Sequence, residues 1–300
     1  MDALTDALGD ALTDQLTVAD ALEVKARALQ DRLLGLGSVL VAFSGGVDSA
    51  LVLAAAVRAL GASRVVAATA VSPSLPAAEL ADARLFARGL GVRHEEPRTD
   101  ELSRAGYRAN AGDRCWFCKA ELLDVLTPLA RRLGLHAVVT GTNADDAVAG
   151  FRPGIRAAAE RGAQAPLRDA GLTKADVREV SRRWGLTTAD KPAAACLSSR
   201  IAFGTPVTAA RLARVERAEA AARRSLLDAG VMVCDLRVRT LGDSARVEVD
   251  LAALSALGSE ARAALLEAVR QAGFDAAELD PRGFRSGSMN ELLPDPVRYR

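Results

Sequence analysis

The sequence has 300 residues, enough for one large α/β domain or two smaller ones with a substantial core. Its 39 basic and 38 acidic side chains give a formal net charge of +1, which disfavours binding to nucleic acid through overall charge. No apolar run reaches the ~18 residues of a membrane span, and the acidic start lacks the basic stretch of a signal peptide. We therefore expect a cytoplasmic protein without a membrane or nucleic-acid partner.

Two helical patterns open the chain. Leucines recur at every fourth position at the start, which predicts an amphipathic helix. These leucines are Leu4, Leu8, Leu12 and Leu16. A second pattern, Leu22, Ala26, Leu29 and Leu33, ends at Gly35. We interpret residues 1–35 as N-terminal helices that pack on the protein or support a homo-oligomer.

Short apolar runs alternate with helical patterns over residues 36–204. The predicted strands cover residues 38–43, 65–71, 92–95 and 136–140, and the predicted helices cover 50–60, 76–90 and 118–133. Continuous apolar runs are typical of strands buried on both faces, and strands separated by helices imply right-handed βαβ crossovers. The fold class predicted for this domain is therefore α/β, with a doubly wound parallel sheet.

A second, smaller domain is predicted for residues 205–300. Its predicted elements are a helix at 209–228, strands at 231–240 and 245–249, a helix at 259–272 and a strand at 276–279. The strands alternate apolar with charged residues, which is typical of a sheet with one solvated or ligand-facing side. We predict an α+β domain whose Gly-, Ser- and Arg-rich tail, 283–300, is either a disordered end or a loop that returns to a site.

The residues after the first predicted strand form a candidate phosphate loop, Ser44-Gly45-Gly46-Val47-Asp48-Ser49. Adjacent glycines let the backbone approach phosphate oxygens, and N–H groups at the start of a helix favour an anion. The two serines add hydroxyl donors, and Asp48 is a candidate Mg²⁺ ligand or helix cap. The loop lacks both the Gly-Lys-Ser/Thr of a Walker A site and the Gly-x-Gly-x-x-Gly of dinucleotide folds.

In this position the loop resembles the pyrophosphate loop (PP-loop) of the adenine-nucleotide α-hydrolase superfamily, whose members adenylate an oxygen and release pyrophosphate. Residues 114–119, 141–146 and 191–201 narrow the resemblance. Together with the Arg-Ser-Gly-Ser-Met-Asn ending, they resemble the LarE family of ATP-dependent sulfurtransferases. The resemblance runs from about Leu33 to Met289 and is most specific at the Ala-Cys-Leu-Ser-Ser-Arg segment.

The LarE resemblance implies a PP-loop ATP pyrophosphatase (HUP-like) domain and a C-terminal domain that binds substrate phosphate. It implies that ATP and Mg²⁺ are used to adenylate the carboxylates of pyridinium-3,5-biscarboxylic acid mononucleotide. The products would be thiocarboxylates for the nickel-pincer cofactor of lactate racemase. Arg237 and Arg239 would bind the phosphate with help from Arg200, and Cys196 would attack the adenylate. Ser199 and Glu219 are further implied substrate-binding residues.

The motifs contain three cysteines, whereas the simplest member of the LarE family depends on one. Cys115-Trp116-Phe117-Cys118 adds a Cys-x-x-Cys pair to Cys196. A redox disulfide and a zinc site with Cys234 as fourth ligand are possible interpretations, although Cys234 in an apolar run is typical of buried packing. Resemblance to a cluster-bearing LarE branch implies instead a [4Fe–4S] cluster held by Cys115, Cys118 and Cys196. Separate thiols, with Cys196 sacrificing its own sulfur, form the other alternative. The start of a helix is also expected to lower thiol pKa values.

Several other residues are candidates from their positions. Trp116 could stack on a pyridinium ring. Asp145 and Asp146 follow the fourth strand at the binding edge of the sheet, where they could hold ATP or Mg²⁺. Thr69 ends the second strand, where adenosine would lie. The two histidines, His94 and His136, are predicted to be structural.

Other functions compete with the sulfurtransferase. A PP-loop tRNA thiolation enzyme is the main alternative, but it would need a basic surface or added RNA-binding modules. An amidating synthetase would not need Cys196, and a non-catalytic nucleotide-binding regulator would not release AMP. The expected partner is a small pyridinium mononucleotide, and no pattern in the chain identifies the sulfide source.

Overall fold

A computed structural model describes residues 21–148, 152–192, 195–285 and 288–289. The elements of the first part are α1 (21–35 as described), β1 (Val39–Ala42), α2 (Val47–Leu60), β2 (Val65–Ala68), α3 (Ala77–Gly89), β3 (Arg93–Glu95), α4 (Ala105–Ala109), α5 (Arg114–Arg132), β4 (Ala137–Val139), α6 (Ala144–Val148), α7 (Pro153–Glu160), α8 (Pro166–Asp169) and α9 (Lys174–Arg183). The second part contains α10 (Ala209–Asp228), β5 (Leu236–Leu241), β6 (Ser244–Val249), α11 (Leu251–Ala256), α12 (Ser259–Gln271) and β7 (Ala276–Leu279). Three 3-10 turns cover Ala62–Arg64, Glu101–Ser103 and Leu197–Arg200.

The four strands of the first part form one parallel sheet in the order β3-β2-β1-β4. Val39 of β1 lies opposite Val65 of β2 and Ala137 of β4. The chain moves outward from β1 to β3 and then returns to the other side of β1. The switch point therefore lies between β1 and β4, and ligands of such sheets bind at the carboxyl ends of the strands beside it.

Helices cover both faces of this sheet, which confirms the predicted doubly wound fold. Val39 and Val41 pack on one face with the apolar sides of α1, α2 and α9, whereas Leu40 faces α5 on the other. The predicted apolar positions of α1, from Leu22 to Leu33, are all buried in the first of these clusters. The earlier leucine pattern, at residues 4–16, lies outside the described residues.

The C-terminal part carries its own three-stranded sheet, in which β5 and β6 are antiparallel and β6 and β7 are parallel. Helices α10 and α12 pack on this sheet around a separate apolar cluster. A short contact links the two parts of the chain, since Ile201 forms a bridge with Thr240 of β5. This bridge brings the end of the predicted Cys196 motif to the second sheet. In the ranges that the structure describes, no helix combines the length and apolarity of a membrane span.

The buried, structural role predicted for Cys234 is wrong. β5 begins at Leu236, so Cys234 belongs to the preceding loop and its side chain is exposed. Its backbone N–H donates to the Asp250 carboxylate at 2.7 Å, so this N–H group has a hydrogen-bond partner although it pairs with no strand. The apolar run from Val231 to Cys234 thus lacks the ladder hydrogen bonds that would make it a strand.

Candidate functional site

The candidate phosphate loop joins β1 to α2. Gly45 has a φ of +74°, a left-handed conformation that glycine adopts without strain, and Ala83 of α3 lies 3.6 Å from where a Cβ would be. Gly46 is the N-cap of α2 and provides no side-chain cap, so the first-turn N–H groups point into the loop without a capping acceptor. The hydroxyls of Ser44 and Ser49 lie 3.1 Å apart and hold the loop closed. This geometry suits an anion.

The end of β4 lies directly against the start of α2. A Cβ on Gly141 would lie 2.7 Å from the backbone nitrogen of Ser49 and 3.0 Å from the carbonyl carbon of Asp48. Only glycine allows this approach. It brings the residues after β4 beside the phosphate loop, as expected at the switch point of the sheet.

The Asp48 carboxylate connects three elements. It accepts a hydrogen bond from the Asn143 side chain at 3.1 Å and forms an ion pair with the Lys174 ammonium at the start of α9. Asp146 accepts a hydrogen bond from the Asn143 backbone at 3.2 Å and lines the cleft above the loop. Asp145 is exposed and accepts from the Lys174 backbone N–H at 2.7 Å instead. Of the two predicted aspartates, it is therefore Asp146 that faces the cleft.

A cleft of about 330 Å³, here named the phosphate-loop cleft, lies over the carboxyl ends of β1, β2 and β4. It is lined by Ala42, Phe43, Ser44, Gly46, Asp48, Ser49, Ala68, Thr69, Ala70, Leu75, Lys119, Leu122, Gly141, Thr142 and Asp146. Most of the predicted loop residues therefore share one cavity with Thr69.

Thr69 lines this cleft, but its hydroxyl is already engaged. It donates to the Phe43 carbonyl and pairs with His94 Nε2, both at 2.8 Å. The same contact gives His94 the structural role predicted for it, and burial lowers the pKa of its imidazole. His136 precedes β4, and its Nδ1 would lie 3.0 Å from a Cβ on Gly37.

A second cleft, of about 200 Å³, adjoins the first and is named the cysteine cleft. It is lined by Ser44, Ala70, Ser72, Ser74, Leu75, Pro76, Glu79, Thr99, Glu101, Cys118, Leu122, Ala195 and Cys196. Four of these residues, Ser44, Ala70, Leu75 and Leu122, also line the phosphate-loop cleft. The phosphate loop and two of the predicted cysteines thus line two adjoining clefts.

Cys196 is the N-cap of the 3-10 turn Leu197–Arg200, and its thiol lies 2.9 Å from the Ser198 hydroxyl. The Leu197 N–H donates to the Ser74 carbonyl at 2.9 Å, which fixes the turn to the wall of the cysteine cleft. The Ser199 hydroxyl donates to the Cys196 carbonyl at 2.8 Å. The turn therefore holds the thiol in a defined place at the edge of the cleft.

Buried polar side chains tie this turn to the helix that carries the Cys-x-x-Cys pair. Arg114, the first residue of α5, donates to the Ser198 carbonyl at 2.9 Å and to the Asn110 side-chain oxygen. Asn110 in turn donates to the carbonyls of Ala202 and Thr205, at 2.8 and 2.9 Å. These hydrogen bonds hold Cys196 close to α5, although Cys118 and Cys196 are 78 positions apart in the sequence.

The paired cysteines lie in the first turns of α5. Cys118 is half-buried and lines the cysteine cleft, whereas Cys115 is exposed one turn earlier. Burial, together with Cys196 and Glu101 nearby, raises the pKa of the Cys118 thiol. The pKa of Cys115 is raised as well, because protein surrounds it on most sides even though part of its own surface is open. The expected lowering by the helix start is therefore outweighed by desolvation.

Cys118 and Cys196 share a cleft, but no group of three His, Cys, Asp or Glu side chains in the described part of the chain has the arrangement of a metal site. All four cysteines are free thiols. Trp116 points elsewhere: its indole N–H donates to Glu160 at 3.1 Å and its ring faces the Arg161 guanidinium at 5.2 Å. The structure places this ring in the α5–α7 contact.

The predicted phosphate-binding arginines lie behind the Cys196 turn, all three buried. Arg239 pairs with Glu248 at 2.9 Å and donates to the Ser199 carbonyl at 3.3 Å. Ser288 of the tail joins this pair, so the described part of the tail returns to the site. Burial and the charge of Arg200 lower the pKa of Arg237 to about 10. An anion would relieve this repulsion between cations.

Several polar residues in or beside the two clefts were not predicted from the sequence, among them Lys119, Thr142, Lys174 and Glu101. Lys119 and Thr142 line the phosphate-loop cleft, and burial lowers the pKa of the Lys119 ammonium. Thr142 could have been predicted, because it follows β4 and ligands of such sheets bind at the carboxyl ends of the strands. Lys174, paired with Asp48, and Glu101, in the cysteine cleft, lie outside the phosphate loop and the cysteine motifs, and only the tertiary fold brings them there.

The chain is similar in sequence to a protein family and to several known proteins. A family model described as NAD synthase matches residues 25–113. An uncharacterised protein of Synechocystis is 41% identical over 91% of this chain and 99% of its own length. The pyridinium-3,5-bisthiocarboxylic acid mononucleotide synthase of Lactiplantibacillus plantarum is 34% identical over 91% of this chain and 96% of its own length. An uncharacterised protein of Methanocaldococcus jannaschii is 24% identical over 71% of this chain.

Proposed function

Because the chain belongs to the LarE family, that of the pyridinium-3,5-bisthiocarboxylic acid mononucleotide synthase, we propose that it is an ATP-dependent sulfurtransferase. Its substrate is pyridinium-3,5-biscarboxylic acid mononucleotide, and its product is the bisthiocarboxylate used for a nickel-pincer cofactor. Each ring carboxylate attacks the α-phosphorus of ATP, pyrophosphate leaves, and the acyl adenylate forms. A sulfur nucleophile then attacks the carbonyl carbon and AMP leaves.

The observation that carries this proposal is that the two clefts adjoin each other. Adenylation requires ATP over the phosphate loop, and sulfur transfer requires a thiol beside the same carbonyl carbon. The phosphate-loop cleft and the cysteine cleft share a wall that includes Ser44 and Leu122. A carboxylate lying at this wall would reach both ATP and Cys196, which is the placement that a two-step acyl transfer needs.

The phosphate loop is proposed to hold the pyrophosphate of ATP on its N–H groups and serine hydroxyls. Asp48 and Asp146 supply the carboxylate oxygens that Mg²⁺ prefers. The Lys174 ammonium now neutralises Asp48, so this carboxylate already interacts with a cation. Bound Mg²⁺ would neutralise the phosphate oxygens, and Lys119 adds a second positive charge to the same cleft.

The buried arginines are proposed to bind the phosphate of the mononucleotide. Arg237 and Arg239 alternate on one face of β5, and the charges of Arg200 and Arg239 both lower the pKa of Arg237. One phosphate among these guanidinium groups would relieve their mutual repulsion. Since Arg239 also contacts the Ser199 carbonyl, phosphate binding at Arg239 would affect the Cys196 turn.

The thiols are proposed to hold a [4Fe–4S] cluster through Cys115, Cys118 and Cys196. Three thiolates are the donors that such clusters use, and two of these thiols already face one cleft. A cluster with one iron open would carry sulfur from an external sulfide source. The alternative is a sacrificial Cys196: its thiolate displaces AMP, its Cα proton is removed, and its Cβ–S bond breaks. The products are then a thiocarboxylate and dehydroalanine at position 196.

Anaerobic purification with iron and sulfide analysis tests the cluster. We expect about four irons per chain, lost in Cys115→Ser, Cys118→Ser and Cys196→Ser but kept in Cys234→Ser, which removes an exposed thiol outside the cleft. Peptide mass spectrometry after turnover tests the sacrificial route, through loss of hydrogen sulfide at Cys196. Thiocarboxylate formation that persists in Cys196→Ala contradicts both routes. No AMP release with ATP and substrate contradicts the function itself.

A further inference from the structure

Glu101 is a buried carboxylate in the wall of the cysteine cleft. It begins the 3-10 turn Glu101–Ser103, and only 3% of its surface is exposed. The hydroxyls of Ser72 and Ser74 both donate to Oε1, and these serines line the same cleft. Glu101 therefore lies beside Cys118 and Cys196, held by two neutral donors.

The cleft contains a second carboxylate, and the two are not alike. Glu79 forms an ion pair with the Lys191 ammonium at 2.8 Å, so its charge is balanced. Within the described residues, the Glu101 side chain forms no ion pair, and both hydrogen bonds to its carboxylate go to the same oxygen. Burial of a carboxylate without a cation is costly, so such a group in a cleft indicates that a ligand supplies the missing charge.

The size of the cleft limits which part of that ligand it can hold. A volume of about 200 Å³ is below the ~300–1,000 Å³ of a site for a whole drug-sized molecule. The cleft therefore has room for a ring but not for a complete nucleotide. The phosphate has its own place behind the Cys196 turn, where Arg239 meets the Ser199 carbonyl. The ring and the phosphate would then lie on the two sides of this turn.

We propose that the cysteine cleft is the subsite for the cationic ring of the substrate, and that the Glu101 carboxylate is the counter-charge that selects a pyridinium over a neutral ring. This inference rests on the proposed function and deepens it for the route in which Cys196 reacts as a free thiol, because a cluster held by Cys118 and Cys196 would occupy the same cleft. A positive ring nitrogen balances the buried carboxylate, whereas a neutral ring leaves it desolvated and unpaired. The hydroxyls of Ser72 and Ser74 keep the carboxylate in place for this contact.

Binding of two ligands that differ in ring charge tests the inference. Nicotinate mononucleotide carries a pyridinium ring, and its 1,4-dihydro form keeps the carboxylate, ribose and phosphate but has a neutral ring. Calorimetric titration of the full-length protein is expected to give at least about tenfold tighter binding of the pyridinium form. Glu101→Gln should bring this ratio close to one, and Glu101→Asp, which keeps the charge, should retain most of it. Glu179→Gln, the same change at a surface carboxylate that lines neither cleft, should leave the ratio unchanged.

The outcomes that would overturn the inference are distinguishable. A wild-type ratio near one, or a Glu101→Gln ratio equal to that of the wild type, overturns the role of Glu101 while the proposed function stands. If the wild type binds neither ligand and releases no AMP with the dicarboxylate substrate, the proposed function fails and the inference with it. A thermal melt of each variant shows whether it is folded, and if Glu101→Gln does not fold, Glu101→Asp decides: a ratio near one overturns the proposal.

Discussion

Arg200 and Glu219 form a buried bidentate ion pair, with Nε 2.8 Å from Oε1 and Nη2 3.1 Å from Oε2. The remaining nitrogen of Arg200 donates to the carbonyls of Ala195 and Cys196. Glu219 also accepts the backbone N–H of Val238, at 3.1 Å. One ion pair therefore connects the Cys196 turn, α10 and β5, and most of the Arg200 donors hold the protein rather than a ligand.

Removing one partner of this pair should destabilise the protein strongly. Glu219→Gln leaves the Arg200 charge buried without its carboxylate, which costs about 3–5 kcal/mol in comparable buried pairs. Urea unfolding measures the change in the free energy of unfolding. Glu179→Gln is the control, because its ion pairs with Arg182 and Arg183 lie on the surface and are screened by water. Equal effects of the two variants would show that the Arg200–Glu219 pair does not hold the turn.

Gly141→Ala should impair the phosphate loop. The added Cβ would lie 2.7 Å from the Ser49 nitrogen, so β4 and the start of α2 must separate. We expect a loss of about 1–3 kcal/mol in the free energy of unfolding and reduced AMP release from ATP. Gly89→Ala is the matched control, since no atom lies within 4 Å of the place that its added Cβ would occupy at the end of α3. An active Gly141→Ala protein would contradict the close contact.

The buried charge of Arg237 should lower the stability of the fold while it serves to bind phosphate. Burial and the neighbouring arginines lower its pKa in the folded protein to about 10, below that of the unfolded chain, so its charged form is disfavoured by the fold. This destabilising contribution is present in full below pH 10 and fades as the pH rises above about 10, where the folded protein loses the proton before the unfolded chain does. At neutral pH, Arg237→Met removes this cost but also the Arg237 hydrogen bond to the Leu236 carbonyl and its contact with the Phe284 ring, so the melting temperature of the ligand-free protein should change little.

The same variant should lose its response to phosphate. Inorganic phosphate should raise the melting temperature of the wild type by binding the folded state, and much less in Arg237→Met. Arg246→Met, on the neighbouring strand β6 with a surface partner in Glu278, should respond as the wild type does. An undiminished phosphate response in Arg237→Met would place the phosphate elsewhere.

Substitution of Asn110 should lower the free energy of unfolding through two effects that can be measured separately. Its φ of +54° is left-handed, and its side chain donates to the carbonyls that follow the Cys196 turn. Asn110→Gly loses the hydrogen bonds but keeps the backbone relaxed, whereas Asn110→Ala adds a left-handed strain of roughly 1–2 kcal/mol. Urea unfolding should rank the wild type above Asn110→Gly and Asn110→Ala below both. Equal stability of the two variants would contradict the strain.

The parallel sheet and its helices were predictable because their signals are local. Each parallel strand is buried on both faces, so runs such as that around Val41 are continuously apolar and their order along the chain is visible. Boundaries were less predictable: α5 begins at Arg114, four residues before the predicted start at Cys118, and β5 begins at Leu236 rather than 231. Helix starts and loop ends depend on capping contacts with distant residues, which periodicity does not report.

The sequence by itself determined the phosphate loop, the cysteine motifs and the family, because backbone-anion binding and thiol chemistry need particular residues at fixed local spacing. The tertiary structure decided which side chains meet. It brought Asp146 rather than Asp145 into the phosphate-loop cleft, exposed Cys234, and placed Glu101 beside Cys118 and Cys196. These contacts join residues far apart in the chain, and their geometry follows from how the sheet and helices pack rather than from any local pattern.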